Sequence, residues 1–312
     1  MSDLRGATML DLFEQWDRRW PVLARAFPSL LASHTGVLEM SEVTPLLPIR
    51  PRQIICAGAN YRRHVIDMMA AHDVGSPSGL DPLERRRLAT RLMDHRAASG
   101  RPFVFIKPVS ALLGPDEDLV VPADSAQTDW ELELAALIGR PCYRVDRARA
   151  LEHVAGYTIA NDISARDRLA RRDMPSLGLD WVAGKSAPGF LPLGPWIVPA
   201  TLVPQPQELT MTLKLNGEVM QHESTADMIF PIERLIEHIS TYMRLLPGDV
   251  ICTGSPAGNG TSYGRFLRAG DVLQGHIDGL GTQYVKCVGE VVAAGAPTHS
   301  PFVPLPEAVE DQ

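Results

Sequence analysis

Thr128-Asp129-Trp130-Glu131-Leu132-Glu133-Leu134-Ala135-Ala136-Leu137-Ile138-Gly139-Arg140 alternates acidic and apolar side chains with the period of a β-strand. Asp129, Glu131 and Glu133 therefore share one face, and Trp130, Leu132 and Leu134 the other. Same-face neighbours on a strand stand roughly 6.5–7 Å apart, so three carboxylates in a row repel one another unless something positive lies between them. Two settings answer the repulsion. One is water, over the solvated face of an edge strand; the other is a hard divalent cation held by two of the carboxylates and a third ligand from elsewhere in the chain.

The 312 residues suffice for a sizeable core, as one large domain with an appendage or as two domains. A content of 45% apolar and 21% charged residues is that of a globular protein, and 26 prolines with 25 glycines imply the many turns of a β-rich one. The net charge of −7 argues against a nucleic-acid partner, which needs a positive surface. Cys56, Cys142, Cys252 and Cys287 are far apart without zinc spacing and read as buried thiols of a cytosolic protein. The N-terminus lacks the apolar core of a signal peptide, and no segment approaches about 18 uninterrupted apolar residues, so a cytoplasmic chain without membrane contact is expected.

Along the chain, 8–27 reads as one amphipathic helix, kinked or ended at Pro21, followed over 28–52 by loops with short strands. Together they form a small appendage over 1–50, ahead of a catalytic domain over 51–312. A strand then ends at Gly58, and Asn60 suits the N-cap of a helix from Tyr61. In that helix His64 and Asp67 are three apart on one face. Their contact is either a surface pair or a general base whose imidazole is oriented by a carboxylate. His72 to Gly79 reads as a flexible loop. Asp81-Pro82-Leu83-Glu84 starts a helix that carries Arg85, Arg86, Arg87, Arg91 and Arg96 and closes at Gly100. Its arginines make either a solvated face or, with 68–100 as a helical insertion, a lid that draws in an anionic substrate.

Residues 102–108 read as a buried strand ending in Lys107, and 156–167 as a strand that sets Asp162 among uncharged neighbours. Asp162 is either paired with Arg166 or the third metal ligand. A hairpin over 207–222 turns at Asn216-Gly217, a helix spans 229–245, and a strand over 250–253 enters Gly254-Ser255-Pro256-Ala257-Gly258-Asn259-Gly260, whose amides suit an anion. Short strands and a Pro/Gly-rich tail finish the chain.

These segments, in this order, resemble the fumarylacetoacetate hydrolase family. The matching words are Gly58-Ala59-Asn60-Tyr61 with His64, Lys107-Pro108, Glu131-Leu132-Glu133-Leu134, Gly156-Tyr157 with Asn161-Asp162 and Arg166-Asp167, Gly184-Lys185-Ser186, Leu193-Gly194-Pro195-Trp196, Asn216-Gly217-Glu218 with Gln221, Pro247-Gly248-Asp249, and Thr253-Gly254-Ser255-Pro256-Ala257-Gly258. The resemblance covers about residues 51 to 290. It implies an α+β, mostly β fold, the family's mixed β-sandwich roll with a variable N-terminal part, and a homodimer. It also implies Mg2+, Mn2+ or Ca2+ on Glu131, Glu133 and Asp162, with Asp129 just outside the ligand set, His64 and Lys185 as catalytic groups, and Asp67 orienting the histidine. Thr253, Ser255, Arg166 and Lys107 are candidates for holding substrate, the last two alternatively structural ion pairs.

Two departures stand out. Asp67 is one methylene shorter than the family's common Glu, which weakens water activation unless the chain shifts to compensate. Leu169 replaces a Gln that often contacts substrate, so the group bound there is less polar. The activity implied is hydrolysis of a carbon–carbon bond in a 1,3-diketo acid such as an acylpyruvate, through a metal-stabilised enolate. Decarboxylation of a β-keto acid, or isomerisation or hydration of a dienoate, uses the same site without activating the same water. A non-catalytic binding protein that kept the fold is the remaining class, and intact His64, Lys185 and three acids speak against it.

Overall fold

The computed structural model describes residues 6–33, 39, 42–71, 79–171, 176 and 178–292. The loop expected over 72–79, Gly79 apart, and the tail from 293 onward lie outside them. Two mixed sheets pack face to face. The first runs, in spatial order, Val198–Pro199, Val154–Asn161, Leu132–Ile138, Val250–Cys252, Ile54–Gly58 and Phe103–Ile106. The second runs Glu218–Ser224, Thr210–Leu215, Val272–Ile277, Gly281–Gly289 and Leu119–Val121. Where they meet, Gly275 of the second lies so close to Leu132 of the first that a Cβ there would stand 2.6 Å from its Cδ1. Gln283 ties the layers from the side, donating to the Gly194 carbonyl at 3.2 Å. With the helices around them, these sheets make the mixed β-sandwich roll that was expected.

The first sheet is antiparallel except at its centre, where Ile54–Gly58 runs parallel to Val250–Cys252 with Cys56 opposite Cys252. Both chains therefore leave the sheet at the same end. There Asn60 donates to the carbonyls of Thr253 (2.8 Å) and Phe230 (3.0 Å) and accepts from the Phe230 N–H (2.9 Å). Asn60 is thus a tertiary clasp and not a helix cap. The helix is Arg62–Ala71, Tyr61 forms a bridge with Met228, and the Arg63 N–H finds its acceptor in Asp227 at 2.8 Å.

Other local expectations fare unevenly. The capping box Asp81/Glu84 starts the helix Pro82–Ser99, and Gly100 caps it. The hairpin turns at Asn216 and Gly217, both at positive φ, and a helix occupies Ile232–Tyr242. The N-terminal helix divides into Met9–Glu14 and Trp16–Ser33, the second passing through Pro21 and Pro28. Each proline removes one backbone bond, and because this helix lies on the surface, with Val22 and Phe27 exposed, water can take the freed carbonyls. Strands were expected over 28–52; none occurs among the described residues there. The strand Phe103–Ile106 is an edge strand, not a buried one, with Phe103 and Ile106 exposed. All four cysteines are buried and unpaired.

Candidate functional site

The acidic stretch is two strands with a kink. Thr128–Asp129 pairs with Ser164–Ala165, Trp130 and Glu131 leave the ladder, and Leu132–Ile138 resumes it between two neighbours. Every residue from 128 to 138 is buried, so no face of this strand is solvated. Asp129 is consumed by the protein: it accepts from the N–H groups of Trp130 (2.8 Å), Gly260 (2.5 Å) and Thr261 (3.3 Å), the Thr261 hydroxyl (3.0 Å) and Arg166 Nε (2.9 Å). Glu131, Glu133 and Asp162 instead converge, one oxygen of each lying within 4.8 Å of the others. The Asn161 side chain fixes the kink by accepting the Glu131 N–H at 2.8 Å.

Three cations face these acids. Lys185, the last residue of the short helix Trp181–Lys185, donates to Glu131 Oε2 (2.6 Å) and Asp162 Oδ2 (2.5 Å). Lys107 donates to Asp162 Oδ1 (2.5 Å) and the Ile163 carbonyl (3.0 Å), and Arg166 reaches Glu131 as well as Asp129. Burial pushes the Glu131 carboxyl up, but Arg166 and Lys185 outweigh it and hold Glu131 well below the usual carboxylate range. Burial also opposes the charge on Lys185, and there Asp162 and Glu131 prevail and raise the ammonium. Glu133 goes the other way: burial, then Asp162, Cys252 and Glu131, push its carboxyl well up, and its hydrogen-bond donor is the Gly254 N–H at 2.8 Å. Gly254 sits at φ +97, with room for no Cβ beside Asn60.

Four carboxylates thus face two ammonium groups and one guanidinium, and the acid left without a cation is Glu133. A hard divalent cation fits this donor set: three carboxylate oxygens, buried and close enough to share one ion, with Glu133 the acid that no protein cation neutralises. Bound there, it would turn the local balance from negative to positive, the sign an anionic substrate requires.

His64 lines a cleft of about 840 Å3 together with Arg166, and Arg63, Asp67 and Glu223 stand in the same wall. Burial lowers the His64 imidazole pKa against the pull of Glu131. Asp67 does not orient it. Its carboxylate accepts both Arg86 Nη1 (2.6 Å) and Nη2 (2.8 Å), with Arg63 Nε at 3.7 Å. Among the described residues His64 has no hydrogen-bond partner. The other helix arginines that were candidates for a lid are also engaged in part, Arg96 with the Ala59 carbonyl at 2.6 Å and the Phe230 ring.

Three side chains expected from the sequence to hold substrate are bonded within the protein. Lys107 is buried outside the cleft lining and spent on Asp162. Thr253 is fully buried with its hydroxyl donated to the Leu134 carbonyl at 2.8 Å, and Ser255 is bonded to Gln221 at 3.0 Å; neither lines the cleft. Leu169 does not line it either, its side chain packing against Gly184. Of the candidates for holding substrate, only Arg166 faces the cleft. Gln221 has a role that its motif does not reveal. It accepts the Leu132 N–H at 3.1 Å and donates to the Pro256 carbonyl at 2.9 Å, locking the acidic strand to the glycine-rich loop. Its position after a hairpin turn was the available signal.

The match to known proteins is extensive. The family model "Fumarylacetoacetate (FAA) hydrolase C-terminal" covers residues 53–288. The chain is 36% identical over 284 residues to the mitochondrial oxaloacetate tautomerase FAHD2A of Bos taurus, spanning 90% of this chain and 80% of the bovine protein. Among solved structures, a 5-carboxymethyl-2-hydroxymuconate delta-isomerase from Mycobacterium smegmatis is 34% identical with a TM-score of 0.63, covering 83% of this chain and 87% of that one. A maleylpyruvate hydrolase from Sphingobium sp. SYK-6, in complex with manganese(II) ion and pyruvate, is 27% identical with a TM-score of 0.67, covering 91% and 86%. With its motifs, its two-sheet roll and its buried acids all in register, the chain belongs to the fumarylacetoacetate hydrolase family.

Proposed function

We propose that the chain is a divalent-metal-dependent enzyme that moves a proton on an enolisable 2-oxo acid, interconverting its keto and enol forms. The observation that carries this is His64 in the cleft wall without a carboxylate partner, Asp67 being drawn off by Arg86. An imidazole without an orienting carboxylate suits a proton shuttle better than the activation of water. Glu131, Glu133 and Asp162 would hold the cation, which would supply positive charge for the oxygen that becomes negative. Arg166, held on Asp129 and Glu131 and partly exposed to the cleft, presents its remaining N–H groups to the 1-carboxylate. His64 accepts the proton leaving C3 of the keto form and returns it to the oxygen of the enol, so no atom is gained or lost. Lys185 and Lys107 keep the acids ionised and in place. The tautomerase and isomerase names of two relatives agree with this chemistry.

The size of the cleft supports a second reading, hydrolysis of the carbon–carbon bond of an acylpyruvate, because about 840 Å3 is far more than a four-carbon acid fills. Decay of oxaloacetate enol absorbance, with Mn2+ or Mg2+ present, tests the first reading, and loss of acylpyruvate absorbance tests the second. Proton transfer requires that wild type accelerate enol decay and that His64→Asn abolish the acceleration while Mn2+ binding persists. If wild type consumes only the acylpyruvate, the hydrolase is the enzyme. Assembly as a homodimer is part of the same proposal, checked by light scattering of the purified chain.

A further inference from the structure

The cleft carries a second cation that the acid cluster does not use. Arg63 lies next to His64 in sequence and lines the same cleft, its side chain 60% exposed. Its partners are Glu223 on the strand Glu218–Ser224, reached through Nη1, and Asp67, whose Oδ2 stands 3.7 Å from Nε. Nη2 has no hydrogen-bond acceptor among the described residues, so this cleft-lining guanidinium keeps one nitrogen unengaged. Neighbouring arginines differ: Arg86 is bidentate on Asp67, Arg62 pairs with Asp94, and neither lines the cleft. Val219, Met220 and Met68 line the same cleft, whose other basic side chains are His64, Arg166 and His222.

We infer that Arg63 is a specificity-determining residue that receives the second carboxylate of a dicarboxylic 2-oxo acid, displacing Glu223, which holds the guanidinium in place until then. The inference rests on the 2-oxo-acid reading and adds the substrate class. A guanidinium fork accepts a carboxylate through two parallel bonds, whereas Glu223 takes one. Glu223 is also a weak holder: burial pushes its carboxyl up against the pull of Arg63, and Asp227 adds to the rise. The rival account is a structural staple between the helix Arg62–Ala71 and the hairpin, in which the two residues matter only as a pair.

The two accounts separate in binding measurements on the Mn2+-loaded full chain. The probes are 2-oxoglutarate and 2-oxopentanoate, which share five carbons and differ in a distal carboxylate against a methyl. Calorimetric titration should give wild type a preference for 2-oxoglutarate of about 10- to 100-fold. Arg63→Met should erase that preference through loss of 2-oxoglutarate affinity. Glu223→Gln should tighten 2-oxoglutarate, because the internal competitor loses its charge. A staple requires Arg63→Met and Glu223→Gln to weaken both acids alike, and that result overturns the assignment of Arg63, as does equal affinity of wild type for the two probes. If wild type binds neither acid, the 2-oxo-acid reading falls and this assignment with it.

Discussion

Glu133→Gln should move stability and metal affinity in opposite directions. The amide keeps an oxygen for the Gly254 N–H and nearly the same volume, so the change removes the charge that Glu133 carries when ionised. That charge lies within 4.8 Å of Glu131 and Asp162, a separation at which two like charges repel by about 3 kcal/mol at an effective dielectric near 20. Lys185 and Lys107 cancel part of the repulsion, leaving a gain of about 1–2 kcal/mol for the chelator-treated variant, or about 1.5–3 °C in Tm. Loss of one of three ligand charges should weaken Mn2+ by on the order of a hundred- to a thousandfold, about 3–4 kcal/mol. The pH dependence has a definite sign. Because the folded carboxyl of Glu133 is raised, its contribution to stability is complete below the ordinary glutamate range and is lost as pH rises through the raised value. Wild type in chelator should therefore lose stability over that window relative to Glu133→Gln. Thermal unfolding in chelator at several pH values and calorimetric Mn2+ titration give both quantities. A variant that melts lower than wild type in chelator, or binds Mn2+ equally well, would refute the placement of Glu133 as the acid awaiting a cation.

Arg86→Ala should free Asp67 to approach His64, raising the imidazole and moving the acidic limb of the kcat/KM–pH profile upward from its wild-type position below the ordinary histidine range; an unmoved limb would show that Arg86 does not control the histidine. Lys107→Met leaves Asp162 with one of its two lysines in a fully buried setting, at a cost of about 3–5 kcal/mol, read as a lower urea midpoint with unchanged m value. Gly258→Ala places a Cβ 2.1 Å from the Met220 carbonyl at a residue with φ +97, so it should destabilise by more than about 2 kcal/mol in a thermal melt and distort the cleft wall it belongs to.

The hairpin at Asn216-Gly217 and the helix start at Asp81 were legible because each rests on backbone rules acting within a few residues. The acids were legible in part. Alternation put them on one side of the strand, but the choice between water and a cation needed the burial of both faces, which follows from the neighbours Val154–Asn161 and Val250–Cys252. Asp67 shows the limit of local spacing. Three residues along a helix permit a contact with His64, yet Arg86, nineteen positions away, offers two charge-assisted bonds and takes the carboxylate. Asn60 was misread likewise, since a good capping side chain is equally good at clasping Phe230 and Thr253. Lys107 and Thr253 belong to matching words, but a motif records that a residue is required without saying whether it touches the ligand or the acid that does.

The parallel pairing at the centre of the first sheet fixes when the molecule can become active. Asn60 and Thr253 meet across 193 positions, a ring whose closure costs about 5 kcal/mol of chain entropy before any contact rewards it. During synthesis the strand Ile54–Gly58 emerges long before the Val250–Cys252 partner that lies between it and the acidic strand. Non-local pairing of this kind is slow, so catalytic competence should appear as one of the last events of refolding, after the hairpin and the helices have formed.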